Sequence, residues 1–307
     1  MNRVIITGPT GAIGIALIQC LIQKNIEVTA ICRPGSERIC HIPEDDHVRI
    51  VECNLDDLLS LKDILTDTYD IFYHFGWAGT FGAIRNDMYL QNKNVRYTLD
   101  AVELARSLGC RTFVGAGSQA EYGRVEGVLT PETPVFPENG YGIAKLCAGQ
   151  MSRIKCREYG IRHIWTRILS VYGPYDGMGT MVMSTIQKLL KGERPQFTPG
   201  EQKWDYLYAG DAAAMMYMLG EKGCDGQVYC LGSGTAKPLS EYICEIRDAV
   251  SPEAELGIGE IPYSERQVMH LCADISRLVQ DTGYMPVVPF EEGIRKTVGW
   301  FMRGREL

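Results

Sequence analysis

The stretch "RVIITGPTGAIG" at residues 3–14 decides the fold class. A short run of β-branched residues ends in a glycine, and a segment with the apolar spacing of a helix follows at 11–25. Gly8, Gly11 and Gly14 lie three apart between this strand and this helix. Glycines in this context permit a tight turn, close approach of a pyrophosphate and close packing of helix on strand. The stretch therefore predicts a dinucleotide-binding turn with the phosphates at a helix N-terminus.

Strand-like and helical segments alternate from this turn to about residue 170. Predicted strands cover 3–8, 26–33, 47–55, 70–76, 111–118 and 161–170. Predicted helices cover 11–25, 60–68, 90–109 and 141–160. Alternation of this kind is typical of βαβ units, so we expect an α/β Rossmann fold, a doubly wound parallel sheet with helices on both faces.

The alternation weakens after "VYGP" at 171–174, where Gly and Pro increase. We therefore expect a dinucleotide-binding domain at 1–174, to which 204–232 returns. A smaller C-terminal substrate-binding lobe would comprise 175–203 and 233–307. The substrate would then lie between the two parts, outside the carboxyl ends of the strands.

The composition excludes several classes of function. The chain has 307 residues with 31 Lys and Arg against 38 Asp and Glu, a net charge of −7. That balance provides no basic face for nucleic acid. No apolar run approaches the roughly 20 residues that a membrane span needs. Eleven scattered cysteines without a CxxC pair indicate neither disulfides nor a metal site, and are typical of the cytoplasm.

The end of the second strand bears on the choice of cofactor. The sequence there is "AICRPGSER" at 30–38, with no Asp or Glu at the place expected for binding the ribose 2′-hydroxyl of NAD. Arg33 stands in that place, and Ser36 and Arg38 follow. A guanidinium suits a 2′-phosphate, so the sequence favours NADP. NAD stays the alternative if Arg33 is only a solvated surface residue.

The stretch "NGYGIAK" at 139–145 places Tyr141 and Lys145 four residues apart, on one face of a predicted helix. A nearby ammonium favours the phenolate and lowers the pKa of a tyrosine towards neutral pH. Ser118 ends a predicted strand of the same sheet, where it could hydrogen-bond a substrate oxygen. These three residues are the predicted catalytic group.

With these motifs in family order, the chain resembles an extended short-chain dehydrogenase/reductase, in the branch of nucleotide-sugar epimerases, dehydratases and 4-keto reductases. The resemblance covers nearly the whole chain. It is carried by the glycine turn, Ser118 with "EYG", "YGIAK", "RILSVYGP" (167–174), "WDYLYAGDAA" (204–213) and "GYMPVVPFEEGIRKTVGW" (283–300).

The resemblance implies a role for each matching residue. Tyr141 would be the general acid/base, Lys145 would lower its pKa and hold the nicotinamide ribose, and Ser118 would orient the substrate oxygen. The implied cofactor-binding residues are Gly8, Thr10, Gly11, Ala12, Ile13, Gly14, Arg33, Asn54, Leu55, Phe75 and Gly76, with Tyr141 and Lys145.

The residues after Ser118 narrow the reaction. Sugar 4,6-dehydratases of the family have an Asp–Glu pair there, whereas this chain has Gln119 and Ala120. The 3,5-epimerases have a cysteine just beyond, and none occurs between Cys110 and Cys147. An NADPH-dependent 4-keto reductase and a 4-epimerase with tightly bound NAD are left, and Arg33 favours the reductase. A non-catalytic dinucleotide-binding regulator is a third reading, disfavoured because the catalytic group is complete.

Two departures concern the substrate, which the resemblance implies is a nucleotide-sugar. The family's Asn before "YGP" is Ser170, and the Arg of its diphosphate clamp is Trp204, for which Arg167 or Lys203 could compensate. A reductase acting on a different carbonyl compound therefore stays open. By position, Trp77, Thr80, Arg85 and Gln119 are further candidates for the pocket. The resemblance also implies a homodimer through the helices at 90–109 and 141–160.

Overall fold

A computed structural model describes residues 1–265 and 267–303. The strands are β1 Arg3–Thr7, β2 Glu27–Cys32, β3 Val48–Glu52, β4 Ile71–His74, β5 Thr112–Ser118, β6 Arg162–Ile168, β7 Ser170–Tyr172, β8 Gln196–Phe197, β9 Lys203–Trp204, β10 Tyr206–Tyr208, β11 Gln227–Leu231, β12 Lys237–Pro238 and β13 Gly257–Ile258. The helices are α1 Ala12–Ile22, α2 Met88–Ser107, α3 Gly140–Tyr159, α4 Met181–Leu190, α5 Ala209–Lys222, α6 Leu239–Val250, α7 Ser276–Thr282 and α8 Phe290–Arg303. Short 3-10 turns cover Glu37–His41, Leu55–Asp63, Ala83–Asn86 and Gln119–Glu121.

The central sheet has seven strands in the order β11-β6-β5-β4-β1-β2-β3, and every neighbouring pair is parallel. The strand order reverses between β1 and β4. In open parallel sheets such a switch point leaves a crevice at the carboxyl ends of the strands. The predicted doubly wound Rossmann fold is confirmed.

Both faces of the sheet are buried, as the continuous apolar run of β1 predicts. Val4 and Ile6 belong to a cluster with α1 and α5, whereas Ile5 packs with α2 and the 3-10 turn at Leu55–Asp63. All three side chains are fully buried. Because successive side chains of β1 point to opposite faces of the sheet, the strand packs against helices on both sides. This packing holds the turn that follows in place.

The helix predicted at 60–68 is wrong. The chain forms a 3-10 helix at Leu55–Asp63, and "TDTYD" at 66–70 is irregular. Apolar residues recur here every third position, at Leu55, Leu58 and Leu61, and Leu58 and Leu61 are buried. A repeat of three matches the 3.0 residues per turn of a 3-10 helix, in which such residues share one face. The other predicted helices lie within three residues of their observed ends.

The C-terminal part contains a separate apolar cluster formed by α4, α6 and α8 around Ile186, Ile246 and Ile294. Three two-stranded ribbons, β7–β10, β9–β12 and β8–β13, connect these helices to the sheet. Strand β11 extends the central sheet beside β6, so this part of 204–232 joins the sheet. Among the described residues no helix is long and apolar enough to cross a membrane.

Candidate active site

The backbone of the β1–α1 turn packs directly against the backbone of the residues that follow β4. Gly8 has φ +68°, and a Cβ there would lie 2.7 Å from the backbone nitrogen of Gly76. A Cβ on Gly14 would lie 2.5 Å from the carbonyl oxygen of Pro9. Gly11 caps α1 without a side-chain hydrogen bond, so no side chain covers the first N–H groups of the helix. This cradle fits the pyrophosphate of a dinucleotide.

Two adjoining cavities flank the turn and share Gly8, Gly76, Trp77 and Arg38. One, of about 430 Å³, is at the end of β2 and holds the predicted residues Thr10, Arg33, Asn54 and Leu55, as well as Ser36. The other, of about 420 Å³, holds the predicted residues Gly11, Ala12, Ile13, Gly14, Phe75, Ser118, Tyr141 and Lys145. The structure thus brings all the predicted cofactor-binding residues to one continuous crevice. A larger cavity between α1 and α8 contains none of the three predicted catalytic residues.

Lys145 is the most deeply buried member of the predicted catalytic group, with 3% of its surface exposed. Its Nζ donates a hydrogen bond to the carbonyl oxygen of Ala116 at 2.6 Å and lies 3.7 Å from the Trp77 ring centroid. Burial lowers the pKa of Lys145 to about 7, against the opposing charge of Glu121. The side-chain amine of Lys145 is therefore only partly protonated near neutral pH.

Tyr141 differs from the expectation. Burial raises the pKa of its phenol above the ordinary value, and a hydrogen bond with Ser118 and the charge of Arg85 act in the opposite direction. The Arg85 guanidinium lies 4.6 Å from the Tyr141 ring centroid, whereas Lys145 Nζ lies 5.8 Å away. In this structure the Lys145 ammonium contacts Trp77 and the Ala116 carbonyl.

The substrate candidates divide into two groups. Trp77 and Thr80 line the cavity that holds the predicted catalytic group, which we call the catalytic cavity. Gln119 begins a 3-10 turn and does not line that cavity, and neither do Ser170 and Trp204. The Trp204 indole instead donates a hydrogen bond to the Ser170 hydroxyl at 2.8 Å.

The two cations that could replace the missing diphosphate clamp differ in their burial. Arg167 is buried, and its Nε pairs with the carboxylate of Glu121 at 2.9 Å. Lys203 is exposed on β9. Arg167 is therefore committed to an internal partner. The position of Arg167 does not support the prediction that it replaces the diphosphate clamp.

Two residues at the site were missed or undervalued by the sequence reasoning. Arg85 was considered only by position, yet its guanidinium covers the ring of Tyr141. Glu121 was overlooked, although Ser118 and Glu121 have the S-x-x-E spacing of a capping box, which the structure contains. That spacing was a readable signal, whereas the approach of Arg85 depends on a long-range contact.

The doubly wound sheet has a glycine cradle at its switch point, and Ser118, Tyr141 and Lys145 line the adjoining crevice. This combination defines a dinucleotide-binding enzyme of the extended short-chain dehydrogenase/reductase class. The model of the NAD dependent epimerase/dehydratase family matches residues 4–232. The chain belongs to this family.

One relative in sequence and two solved structures are similar to the chain. A dTDP-glucose 4,6-dehydratase of Neisseria meningitidis serogroup B is 24% identical over 341 residues, which cover 98% of this chain and 94% of the relative. UDP-glucose 4-epimerase of Thermotoga maritima, solved with UDP-glucose, superposes with a TM-score of 0.88 at 22% identity, covering 99% of both chains. dTDP-glucose 4,6-dehydratase of Bacillus anthracis, solved with NAD, superposes with a TM-score of 0.86 at 18% identity, covering 100% of this chain and 98% of that one.

Proposed function

We propose that the protein is an NADPH-dependent 4-keto reductase of a nucleotide-diphospho-sugar. The observation that carries the proposal is the end of β2. Arg33 is exposed there, at the place where an acidic residue would bind the ribose of NAD, and it lines the first cavity with Ser36. Glu52, the partner of Cys32 on β3, accepts a hydrogen bond from the Gly35 amide at 3.3 Å and does not line the cavity. Asp56 does line the cavity, and its carboxylate accepts a hydrogen bond from the Tyr97 hydroxyl at 2.7 Å. A cation at the strand end, with the Asp56 carboxylate bound to Tyr97, favours a 2′-phosphate.

The catalytic cavity supports the chemistry of carbonyl reduction. Bound NADPH would supply the hydride to C4 of the sugar. Tyr141 would give its phenolic proton to the C4 oxygen, so that the ketone becomes an alcohol. Ser118 would hold that oxygen in line with the phenol, and Lys145 would contact the cofactor ribose from the floor of the cavity.

The residues after Ser118 argue against dehydration. Gln119 and Ala120 carry no acid or base, and the next acid, Glu121, is fully buried and bound to internal partners. The second candidate is a 4-epimerase with retained NAD. It is favoured by the likeness to a UDP-glucose 4-epimerase solved with UDP-glucose and by the NAD bound in another neighbour.

The setting of the reaction is part of the proposal. The substrate would lie between 1–174 and a lobe formed by 175–203 and 233–307. The enzyme would act in the cytoplasm as a homodimer through α2 and α3. In support of the dimer, α3 exposes the apolar residues Ile143, Met151 and Ile154.

Two measurements on the purified protein test the cofactor assignment. The first denatures the protein and identifies any released dinucleotide by absorbance and mass spectrometry. The second titrates wild-type protein, Arg33→Glu and Arg49→Glu with NADPH and NADH. Arg49 is exposed on β3 and does not line the cavity, so it is the charge-matched control. We expect Arg33→Glu to weaken NADPH binding by roughly ten- to a hundredfold, the effect of losing charged hydrogen bonds.

The outcomes separate the candidates. An empty protein that prefers NADPH, followed by oxidation of NADPH with a 4-keto sugar nucleotide, supports the reductase. Stoichiometric NAD released with the protein would overturn it in favour of the epimerase. Tyr141→Phe should abolish turnover and keep cofactor binding, whereas a regulatory protein would be unaffected.

A further inference from the structure

Beneath Ser118 lies a buried polar cluster that the proposed reaction does not use. Glu121 is fully buried. Its Oε1 accepts hydrogen bonds from the backbone N–H of Ser118 and from the indole N–H of Trp165, both at 2.9 Å. Its Oε2 accepts from Nε of Arg167 at 2.9 Å, and that arginine is itself buried. We call Glu121, Trp165 and Arg167 the carboxylate cluster.

The backbone around the carboxylate cluster is built to admit it. A Cβ on Gly117 would lie 2.4 Å from Oε1 of Glu121 and 2.3 Å from the indole nitrogen of Trp165. A Cβ on Gly115 or Gly149 would enter the Trp165 ring at 2.3 and 2.6 Å. Gly115 and Gly117 belong to β5, and Gly149 belongs to α3. The same two elements carry Ser118 and Lys145. The cluster therefore fixes the positions of these two residues relative to the Glu121 carboxylate.

Lys145 belongs to α3, and its ammonium lies against β5, the strand that borders the cluster. Its Nζ bonds to Ala116, one residue before Gly117, and no acidic side chain is paired with it among residues 1–265 and 267–303. The ionisable groups that act on it or face it are Glu121, Tyr141 and His74. His74 is neutral at working pH, because burial lowers its pKa to about 3. Among the described residues, the negative charge of Glu121 opposes the loss of the Lys145 proton.

We propose that Glu121 is a positioning residue for catalysis: it holds the backbone of Ser118 and supplies a negative charge that favours the ammonium form of Lys145. The Arg167 and Trp165 donors hold the carboxylate in place without reaching the reacting atoms. The inference rests on the proposed catalytic group of Ser118, Tyr141 and Lys145. It goes beyond that group because it makes the protonation of Lys145 depend on Glu121, a residue outside the group.

The test is the titration of Lys145, followed by NMR on the full-length protein labelled with [ε-13C]lysine. The Lys145 signal is assigned by its loss in Lys145→Arg. Glu121→Gln removes the charge and keeps the shape, and we expect the Lys145 midpoint to fall by roughly one pH unit or more. Asp205→Asn is the matched control. It changes another buried carboxylate, one that accepts bonds from Ser233 and Ala273, and it should leave the midpoint unchanged.

Glu121→Gln leaves the Arg167 charge unpaired and could prevent folding. The double variant Glu121→Gln/Arg167→Met removes both charges, and we expect it to lower the Lys145 midpoint as well. Midpoints indistinguishable from wild type in the folded Glu121 variants would overturn the inference. A change of equal size in Asp205→Asn would do the same, because it would show a general loss of structure.

The NMR titration needs no turnover, so it fails or succeeds independently of the proposed reaction. If no 4-keto sugar nucleotide is reduced but the Lys145 midpoint falls, the proposed function is wrong and the charge relation stands. If reduction is observed, the pH at which kcat is lost on the alkaline side should fall in Glu121→Gln in step with the NMR midpoint. A kcat profile identical to that of wild type in this variant would overturn the positioning role.

Discussion

Lys145 should make the protein less stable than it could be. An ordinary lysine has a pKa of 10.5, and burial brings that of Lys145 to about 7. At pH 7 the unfolded chain holds this proton fully and the folded chain holds it only in part. By linkage the difference removes about 4–5 kcal/mol from the free energy of unfolding at that pH. Replacement by an uncharged side chain of similar length should recover part of this free energy.

The change to make is Lys145→Met. The variant avoids the ionisation cost but loses the hydrogen bond to the Ala116 carbonyl, and leaving a buried acceptor unpaired costs about 1–3 kcal/mol. We therefore expect Lys145→Met to be about 2 kcal/mol more stable than wild type at pH 7. Turnover should be lost, because no ammonium is left in the cavity.

The pH dependence gives the sharper test. Since the folded pKa is lowered, the ionisation cost is complete below about pH 7 and disappears as the pH rises towards 10.5. The advantage of Lys145→Met should thus shrink by about 1.4 kcal/mol per pH unit above pH 7 and vanish near pH 9. Urea unfolding of both proteins at pH 6, 7, 8 and 9 measures it. A stability difference that is independent of pH would refute the burial argument for Lys145.

Two further predictions concern the turn and Arg85. Gly14→Ala should lower the free energy of unfolding by about 1–3 kcal/mol, because the new methyl meets the Pro9 carbonyl at 2.5 Å; Gly11→Ala, whose Cβ has its nearest neighbour at 3.9 Å, is the matched control in thermal melts. Arg85→Gln should shift the pH profile of alcohol oxidation with NADP to higher pH, since the guanidinium charge opposes the raised pKa of Tyr141. Arg85→Lys should shift it less, and equal profiles in Arg85→Gln and wild type would contradict the charge effect.

The sheet and the crevice could be predicted because their signals are local. The β-branched run before Gly8 specifies a buried strand, and the four-residue spacing of Tyr141 and Lys145 puts both on one helix face. Since parallel strands end at one edge of a sheet, the glycine turn and Ser118 had to lie near each other. The structure places them in one crevice.

The rest depended on contacts between distant parts of the chain. Arg85 reaches Tyr141 because the Gly140 amide donates a hydrogen bond to Asn86 Oδ1 at 3.0 Å, which fastens the 3-10 turn of Arg85 to the start of α3. No spacing in the sequence reports a bond across 54 residues. The same holds for Trp204, whose bond to Ser170 joins two ribbons. The 3-10 helix was misread for a different reason, because a three-residue repeat over one short segment is also compatible with an α-helix.

The catalytic group alone does not distinguish a reductase from an epimerase. In the proposed roles, Ser118, Tyr141 and Lys145 would move a proton to or from a C4 oxygen, so the same geometry would serve both reactions. The difference lies in whether the oxidised cofactor leaves after each hydride transfer, and the binding free energy at the adenosine end contributes to that. Arg33 and Ser36 stand at that end, on the first cavity, away from the reacting atoms. A reductase needs a cofactor that exchanges, and on the proposed assignment Arg33 would bind the 2′-phosphate and select NADPH from solution at every turnover. The choice of reaction is therefore argued from the end of β2, and substitutions at Arg33 test it more directly than substitutions in the catalytic group.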